Sequence, residues 1–396
     1  GSNIYINYKE LDVVKVSPKK NEDLNESWIS DKGRFAFDSL TNHRVEAKSA
    51  LSYQIFKKTL SFLDNDNNRT LFLINKELSI KELNLLKQLS FLSKNKLKVK
   101  VFSNEKKKSN FYLWGFNSKI SKITSANSKV CLFLSSNIDV EASLLNIRLR
   151  TKFLINEINF YAFGNFMRST YSILFVRFGV SEVVSLFGSK NKVISKLFLK
   201  AVNPIVISGK SLKDRVDSSS LDFFLKKNSS VLNYTIHTKS NEESMNYLNF
   251  SSYNNKDIDS AKNLYFLNLE DTINLRDVAI NNTKECINFA SHSSKLAEYT
   301  SSTISVLVPQ ETGGLYLNLE KRPQFVTPLT IKKSWGVISF ESFFVALIEI
   351  FTKNSIITEK FTDNRNNLES VFKEILANSK LFAPSVSLLN LIDNSK

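Results

Sequence analysis

One recurring pattern constrains the fold of this chain more than any other feature: a short apolar run, then Ser, Asn or Gly, then a stretch with helical periodicity. The apolar runs lie at residues 71–74, 101–102, 130–134, 204–207, 264–267, 286–289 and 304–308. Runs that are apolar throughout are typical of parallel strands covered on both faces by helices. The sequence therefore predicts an α/β fold with doubly wound, mainly parallel sheets in two lobes.

Two connecting stretches can be assigned as helices from their residue spacing. In the first, Ser79 is the predicted N-cap and Glu82, three residues later, completes a capping box. In the second, Asp139 is the predicted N-cap, and Arg148 and Arg150 lie near the C-terminal end, where cations complement the helix dipole. Both helices follow an apolar run, as the α/β pattern requires.

The length of the chain, 396 residues, exceeds what one hydrophobic core usually supports. We expect an N-terminal strand and loop segment at residues 1–45. A first α/β lobe is predicted at residues 46–200 and a second at residues 201–396.

Composition gives two readings of the net charge of +16. Such a charge is typical of proteins that bind nucleic acid or anionic membranes. The chain is also rich in Lys, Asn and Ile but has only 10 Gly and 6 Pro, which indicates an A/T-biased genome that adds lysines by codon drift. We expect no nucleic-acid partner, and a basic organellar RNA-binding protein remains an alternative. No uninterrupted apolar stretch reaches the ~18–20 residues of a membrane span.

Few residues have the chemistry of a metal or catalytic site. The two cysteines, Cys131 and Cys286, lie in apolar runs and are predicted to be core residues, too few for a four-thiolate cluster. The three histidines lack a partner at helical spacing. The loop that begins with Ser208 and Gly209 lacks the upstream glycine of a phosphate loop, so it is read as an ordinary turn. We expect no catalytic, cofactor-binding or metal-binding residues in this chain.

Three stretches of the sequence resemble the large iron-sulfur subunit of respiratory complex I, NADH:ubiquinone oxidoreductase. The first comprises residues 1–4, 13–16 and 21–38; the second comprises Ser136, Asn137, Glu141, Ala142, Asn146, Arg148 and Arg150; the third comprises His292, residues 304–309, Glu311, Tyr316, Asn318, Glu320, Arg322, Gln324 and Trp335. In that family, a cluster-binding region precedes the Gly-Ser-Asn-Ile sequence found here at residues 1–4. The resemblance therefore implies the molybdopterin-oxidoreductase-like C-terminal part of the subunit.

The resemblance implies a function for the assembled protein. The chain would be a non-catalytic structural part of the matrix-arm NADH dehydrogenase module of complex I, on the matrix side of the mitochondrial inner membrane. Its partners would be the iron-sulfur N-terminal half as a separate chain, which would hold the clusters, and other matrix-arm subunits. Whether the gene is divided or the product trimmed stays open. The alternative within this family is a molybdopterin- or nucleotide-binding oxidoreductase.

The third stretch departs from the family at one position. The family has glycine where this chain has Lys321, between Glu320 and Arg322. A lysine at a position with positive φ is strained, so a close approach of backbone to ligand is not expected here. Glu320 and Arg322 are predicted to form a structural ion pair.

A cluster near the N-terminus is the one predicted interaction site. Trp28, Asp31, Lys32 and Arg34 are expected to dock against the iron-sulfur half, because aromatic and arginine side chains dominate the energetics of interfaces. The alternative is a surface turn in which Trp28 only anchors local packing.

Overall fold

The computed structural model describes residues 1–10, 12–46, 54–55, 58–59, 61–62, 69–93, 96–102, 119, 127–155, 157–164, 169–177, 200–209, 212, 231–236, 239–269, 285–329 and 337–354. The chain divides into two compact units, Gly1–Phe344 and Val345–Lys396, and every strand described below lies in the first. Among the described residues, no helix combines the length and the apolar character that crossing a bilayer requires.

The strands, in chain order, are β1 Ile4–Lys9, β2 Asp12–Pro18, β3 Thr70–Ile74, β4 Leu97–Val101, β5 Val130–Leu134, β6 Asn159–Phe163, β7 Leu174–Arg177, β8 Ile205–Ser208, β9 Leu232–Thr235, β10 Asn263–Leu267, β11 Glu285–Ala290, β12 Ser302–Ser305, β13 Gly314–Leu317 and β14 Pro323–Val326. The α-helices are α1 Asp31–Phe35, α2 Ile80–Leu92, α3 Ile138–Glu141, α4 Ser143–Leu154, α5 Glu242–Tyr247, α6 Asn255–Ser260, α7 Pro309–Thr312 and α8 Phe340–Asn354. Two 3-10 helices lie at Ala36–Leu40 and Lys295–Tyr299.

Two five-stranded parallel sheets confirm the predicted fold class. The first sheet has the order β12-β11-β10-β3-β4 and the second the order β7-β6-β5-β8-β9, with every pair parallel. The central strands β3, β5, β8 and β10 are buried along their whole length. Continuous apolar runs therefore form the strands that are covered on both faces.

The two sheets do not divide at residue 200, where the sequence predicts a boundary between lobes. The first sheet begins with β3 and β4, and its remaining strands β10 to β12 come after the whole second sheet in the chain. Residue 200 itself lies between β7 and β8, which belong to one sheet. Strand pairing depends on contacts between residues far apart in the chain, so local periodicity cannot reveal such an insertion.

The first predicted helix is confirmed and the second is corrected. Ser79 caps α2: its hydroxyl accepts from the backbone N–H of Glu82, whose carboxylate accepts from the Ser79 N–H, at 2.8 Å. Asp139 is not an N-cap, because it lies inside α3, and a break at Ala142 separates α3 from α4. Asp139 instead accepts a hydrogen bond from the side chain of Asn146.

The turn between β13 and β14 contains the position where the family has glycine. Lys321 has φ +59°, the left-handed conformation that favours glycine. The side-chain oxygen of Asn318 stabilises the turn by accepting from the backbone N–H groups of Glu320 and Arg322, both at 2.9 Å. Lys321 therefore has the strained backbone conformation, and the hydrogen bonds of Asn318 stabilise the turn that contains it.

The buried capping box gives a prediction about pH. Burial raises the pKa of the Glu82 carboxyl above its ordinary value of 4.5, although hydrogen bonds from Ser79 oppose the shift. The folded state then binds a proton more tightly than the unfolded chain, so this group's contribution to stability falls as pH rises from about 4.5 through the folded-state pKa. Glu82→Gln keeps an acceptor for the capping box. In this variant the free energy of unfolding is expected to fall less as pH rises above about 4.5, and urea denaturation at several pH values measures it. The same pH dependence in the variant and the original chain contradicts the prediction.

A second prediction concerns the strained turn. Lys321→Gly is expected to raise the free energy of unfolding by about 1 kcal/mol, since a side chain in the left-handed region costs roughly 1–2 kcal/mol. Lys321→Ala is the matched control, because it removes the same charge but keeps a Cβ. Chemical denaturation of both variants measures the difference. A glycine variant no more stable than the alanine variant contradicts the prediction.

Candidate functional site

The N-terminal segment, residues 1–45, is organised around the buried side chain of Asn25. Its amide oxygen accepts from the Asn3 N–H at 2.9 Å. Its amide nitrogen donates to the carbonyl oxygens of Lys19 at 3.1 Å and Trp28 at 3.2 Å. One side chain thus joins the start of β1, the end of β2 and the loop that carries Trp28.

Two buried or half-buried arginines and one glutamine attach this segment to the rest of the first unit. Arg148, on α4, donates to the Glu22 carbonyl oxygen at 2.6 Å and lies 3.2 Å from the Glu26 carboxylate. Arg322, just before β14, pairs with the Asp23 carboxylate at 3.1 Å. Gln324 donates to the side-chain oxygen of Asn3 at 3.2 Å.

Arg148 therefore has a different role from the one its position in the sequence indicates. Its side chain is only 8% exposed and points to the N-terminal segment, while α4 continues to Leu154. The pairing of Glu320 with Arg322 is loose, at 3.9 Å. Arg322 makes its shorter contact with Asp23.

The structure brings the four predicted docking residues together on one exposed stretch. Trp28 is 54% exposed. Asp31, Lys32 and Arg34 lie in α1, which Ser30 caps by accepting from the Gly33 N–H. Asp31 and Arg34 approach to 3.7 Å across one turn of the helix. The docking role of these residues remains a prediction.

Other exposed apolar residues of the same segment were not identified from the sequence. Tyr5 of β1, Val14 of β2 and Phe35 of α1 are each more than half exposed. Their inward neighbours Ile6 and Val13 pack against a small core that contains Leu40, Val308 and Leu329. Burial along β1 does not alternate, because only Ile6 is partly buried, so the period of two offers no signal for these exposed residues.

A cleft of about 370 Å³ lies at the carboxyl edge of the first sheet. Its lining includes Asn75 after β3, Asn268 after β10 and Ser291 after β11. In this sheet the chain passes from β3 to β4 on one side, and from β10 to β11 and β12 on the other side. The cleft therefore lies between β3 and β10, where the connections run in opposite directions along the sheet. Ligands of doubly wound sheets bind at such a point, and the volume is at the lower end of the range for small-molecule sites, ~300–1,000 Å³.

The polar groups of this cleft are largely occupied by contacts within the chain. The Asn268 side chain accepts from the N–H and the hydroxyl of Ser291, and the Asn75 side chain donates to the Asn268 carbonyl oxygen. The ring of His292 lies with Nε2 2.7 Å from the Ser39 carbonyl oxygen and Nδ1 2.9 Å from the Ser291 hydroxyl. Both ring nitrogens of His292 are therefore engaged, and neither is free to bind a metal.

At the carboxyl edge of the second sheet, the described residues that follow β5, β6 and β8 lie in close backbone contact. A Cβ at Gly209 would lie 2.2 Å from the Ser135 carbonyl oxygen, and one at Gly164 would lie 3.1 Å from the Ser135 Cα. Gly209 also donates to the Leu134 carbonyl oxygen at 2.9 Å. The glycines therefore make room for the loop at Ser135 and not for a ligand. Lys210 and Ser211 of this loop lie outside the described residues.

The described residues do not fit the metal-bearing dinucleotide cofactor that the molybdopterin-binding alternative requires. Cys131 and Cys286 are both buried in the core, and burial raises the pKa of the Cys131 thiol, which disfavours the thiolate that binds metals. Within the described part of the chain, no three His, Cys, Asp or Glu side chains are grouped to hold a metal ion. The space at the glycines of the second sheet is also filled by backbone, as described above.

Two family models match the sequence. Residues 1–38 match the 4Fe-4S domain of NDSU1/NuoG-like NADH-ubiquinone oxidoreductase, and residues 50–332 match molybdopterin oxidoreductase. The only cysteines of the chain are at 131 and 286, so the stretch that matches the 4Fe-4S model contains none.

Curated relatives agree with the first model. The chain is 24% identical to the NADH-ubiquinone oxidoreductase 75 kDa subunit of Reclinomonas americana, over 95% of this chain and 59% of the relative. It is 27% identical to the mitochondrial NADH-ubiquinone oxidoreductase 78 kDa subunit of Neurospora crassa, over 55% of this chain and 31% of the relative. It is 25% identical to a subunit of NADH-quinone oxidoreductase from Rickettsia typhi, over 82% of this chain and 50% of the relative. The chain thus spans less than two thirds of the length of these relatives.

A solved structure shares the fold. A chain of the formyltransferase/hydrolase complex from Methylorubrum extorquens, crystallised with methylofuran, superposes with a TM-score of 0.54 over 76% of this chain and 96% of that chain, at 9% identity. The likeness concerns the fold alone. Because the molybdopterin oxidoreductase model matches more than half of the chain, and the two parallel sheets agree with it, the chain belongs to the molybdopterin oxidoreductase family.

Proposed function

We propose that this chain is a non-catalytic structural part of the NADH dehydrogenase module of respiratory complex I. In this role it supports the iron-sulfur polypeptide that carries electrons from NADH toward ubiquinone. The observation that carries the proposal is the match of residues 1–38 to a 4Fe-4S domain in a stretch without cysteine. A 4Fe-4S cluster is held by cysteine thiolates, so its ligands would come from another polypeptide segment.

The two carboxyl edges support the assignment as non-catalytic. In the second sheet, the backbone at Ser135 occupies the space beside Gly164 and Gly209. In the first sheet's cleft, the polar groups of Asn75, Asn268 and Ser291 bind one another. Together with the buried cysteines, these features support a chain without a cofactor of its own. Enzyme activity would belong to the assembled NADH:ubiquinone oxidoreductase.

The partners and the location of the chain are part of the same proposal. The iron-sulfur half would be a separate chain that docks on Trp28, Asp31, Lys32 and Arg34. Other matrix-arm subunits of complex I would also bind this chain. The name of the Neurospora crassa relative, a mitochondrial subunit, supports a mitochondrial location, and a place on the matrix side of the inner membrane completes the proposal.

A nucleotide-binding oxidoreductase is the second candidate, favoured by the cleft at the carboxyl edge of the first sheet. Its volume suits a mononucleotide better than a pterin dinucleotide. RNA binding has less support, since several described lysines are paired with carboxylates: Lys76 with Glu242, Lys239 with Glu77 and Lys152 with Glu157.

Metal content tests the non-catalytic assignment. The purified chain is expected to carry no stoichiometric iron, molybdenum or tungsten, because its thiols are buried and too few for a cluster. Elemental analysis of the chain, purified from its native source and separated from partners, measures this. One metal ion per chain contradicts the assignment and favours the oxidoreductase alternative.

The docking role of the predicted residues can be tested by substitution. Trp28→Ala combined with Arg34→Ala is expected to leave the far-UV circular dichroism unchanged and to weaken binding to the iron-sulfur polypeptide about thirtyfold, as loss of an interface anchor of ~2 kcal/mol does. Assembled NADH dehydrogenase activity falls in parallel. Phe91→Ala is the control, since Phe91 is an exposed aromatic on α2, outside this segment. Normal assembly of the double variant contradicts the docking role.

A further inference from the structure

One completely buried side chain in the first sheet has polar atoms without partners. Asn288, in the middle of β11, is 0% exposed, and neither its amide oxygen nor its amide nitrogen has a hydrogen-bond partner within the chain. Burying an unpartnered polar group costs free energy, so nearly all such groups in folded proteins are bonded to protein or to ordered water. Asn288 plays no part in the candidate site described above, and its amide therefore needs an explanation of its own.

The strand pairing shows that one side of Asn288 is apolar. Alternate residues of a strand share a face of the sheet, so Asn288 lies on the same face as Cys286 and Ala290. Phe266 of β10 lies directly opposite Asn288 in the parallel ladder, and it belongs to one apolar cluster with Cys286 and with Leu296 of the second 3-10 helix. The side chains of Phe266 and Leu296 offer the amide no hydrogen bond.

The other side of Asn288 is polar. Thr303 of β12 is its direct partner in the parallel ladder, so the two side chains leave the same face of the sheet from backbones that lie ~4.8 Å apart. The Thr303 hydroxyl lies 3.4 Å from that of Thr300, which is longer than an ordinary bond between hydroxyls. A hydroxyl can donate once and accept twice, so that of Thr303 has capacity for a further partner.

The face that carries Asn288 continues to the cleft at the carboxyl edge of the first sheet. Ala290, the next residue of β11 on this face, lines the cleft, and so does Leu269 of the apolar cluster. Ser294 lines it as well, and the buried hydroxyl oxygen of Ser294 also lacks a partner. Unpartnered polar atoms thus occur both in the lining of the cleft and further along β11, toward the middle of the sheet.

We infer that an ordered water molecule binds between the side chains of Asn288 and Thr303. The amide presents one donor and one acceptor group and the Thr303 hydroxyl a third partner, and a buried water typically makes about three hydrogen bonds. Water suits the site better than a larger ligand, because Asn288 has no exposed surface. The inference concerns the first sheet alone and goes beyond the proposed function, whose failure would leave it intact.

A high-resolution crystal structure of the full chain tests the inference directly. The expected result is electron density for a water oxygen within about 2.5–3.2 Å of the Asn288 amide and of the Thr303 hydroxyl. An amide with no water beside it overturns the inference. Density for a larger molecule beside Asn288 also overturns it, and identifies the inner end of a ligand site that opens from the cleft.

Substitution supplies a second test, whose sign distinguishes a hydrated amide from a dry one. Asn288→Leu is expected to lower the urea midpoint of unfolding by about 0.3–0.5 M, because it removes a bonded group and leaves the water short of partners. If no water binds, the same substitution removes an unpartnered polar group from an apolar cluster and raises the midpoint. A raised or unchanged midpoint overturns the inference.

Two further variants complete the test. Asn233→Leu is the matched control, because Asn233 is a buried asparagine of β9 with an unpartnered amide oxygen and an apolar ladder partner, Val206. The control is expected to keep or raise the midpoint, and an equal loss in both leucine variants overturns the inference. Thr303→Val keeps the shape of the side chain but removes the third partner of the water, so it is expected to lower the midpoint. If Asn288→Leu fails to fold, the Thr303→Val variant and the density in the original chain decide the outcome.

Discussion

Burial of both faces of two parallel sheets is the constraint on which the rest of this structure depends. A parallel strand needs a crossover to reach its neighbour, and the crossovers cover the sheet with helices. All loops that leave the carboxyl ends then meet at one edge of each sheet. In the second sheet, Gly164 and Gly209 lie in close contact with Ser135 at this edge, and in the first sheet the edge carries a polar cleft.

The central strands and the first helix could be predicted because their determinants are local. Continuous apolar runs identify β3, β5, β8 and β10, and the pair Ser79 and Glu82 identifies the start of α2. The edge strand β4 was only partly found, because its sequence alternates lysine with apolar residues and only Leu97 and Val101 are buried. The insertion of the second sheet into the first depends on distant pairings that no window of sequence contains.

The candidate site shows the same limit. The cluster from Trp28 to Arg34 could be identified because its residue types are adjacent in the sequence. The roles of Asn25 and Arg148 could not, since an asparagine in a polar loop and an arginine in a helix look like surface residues until their partners are known. The resemblance predicts strain at Lys321 only if this position has a positive φ, and the structure shows that it does. The amide of Asn318 explains how the turn accepts a lysine.

The contacts that hold the N-terminal segment also set the order of events during synthesis. Asp23 pairs with Arg322, which is 299 residues later in the chain, and the side chain of Asn3 bonds to Gln324, 321 residues later. At a translation rate of ~5–20 residues per second, Asn3 and Asp23 remain without these partners for on the order of 15–60 seconds. The segment therefore reaches its final place only after residues 322–324 have been made. Until then the contacts that fix the Trp28 loop to the rest of the first unit are incomplete.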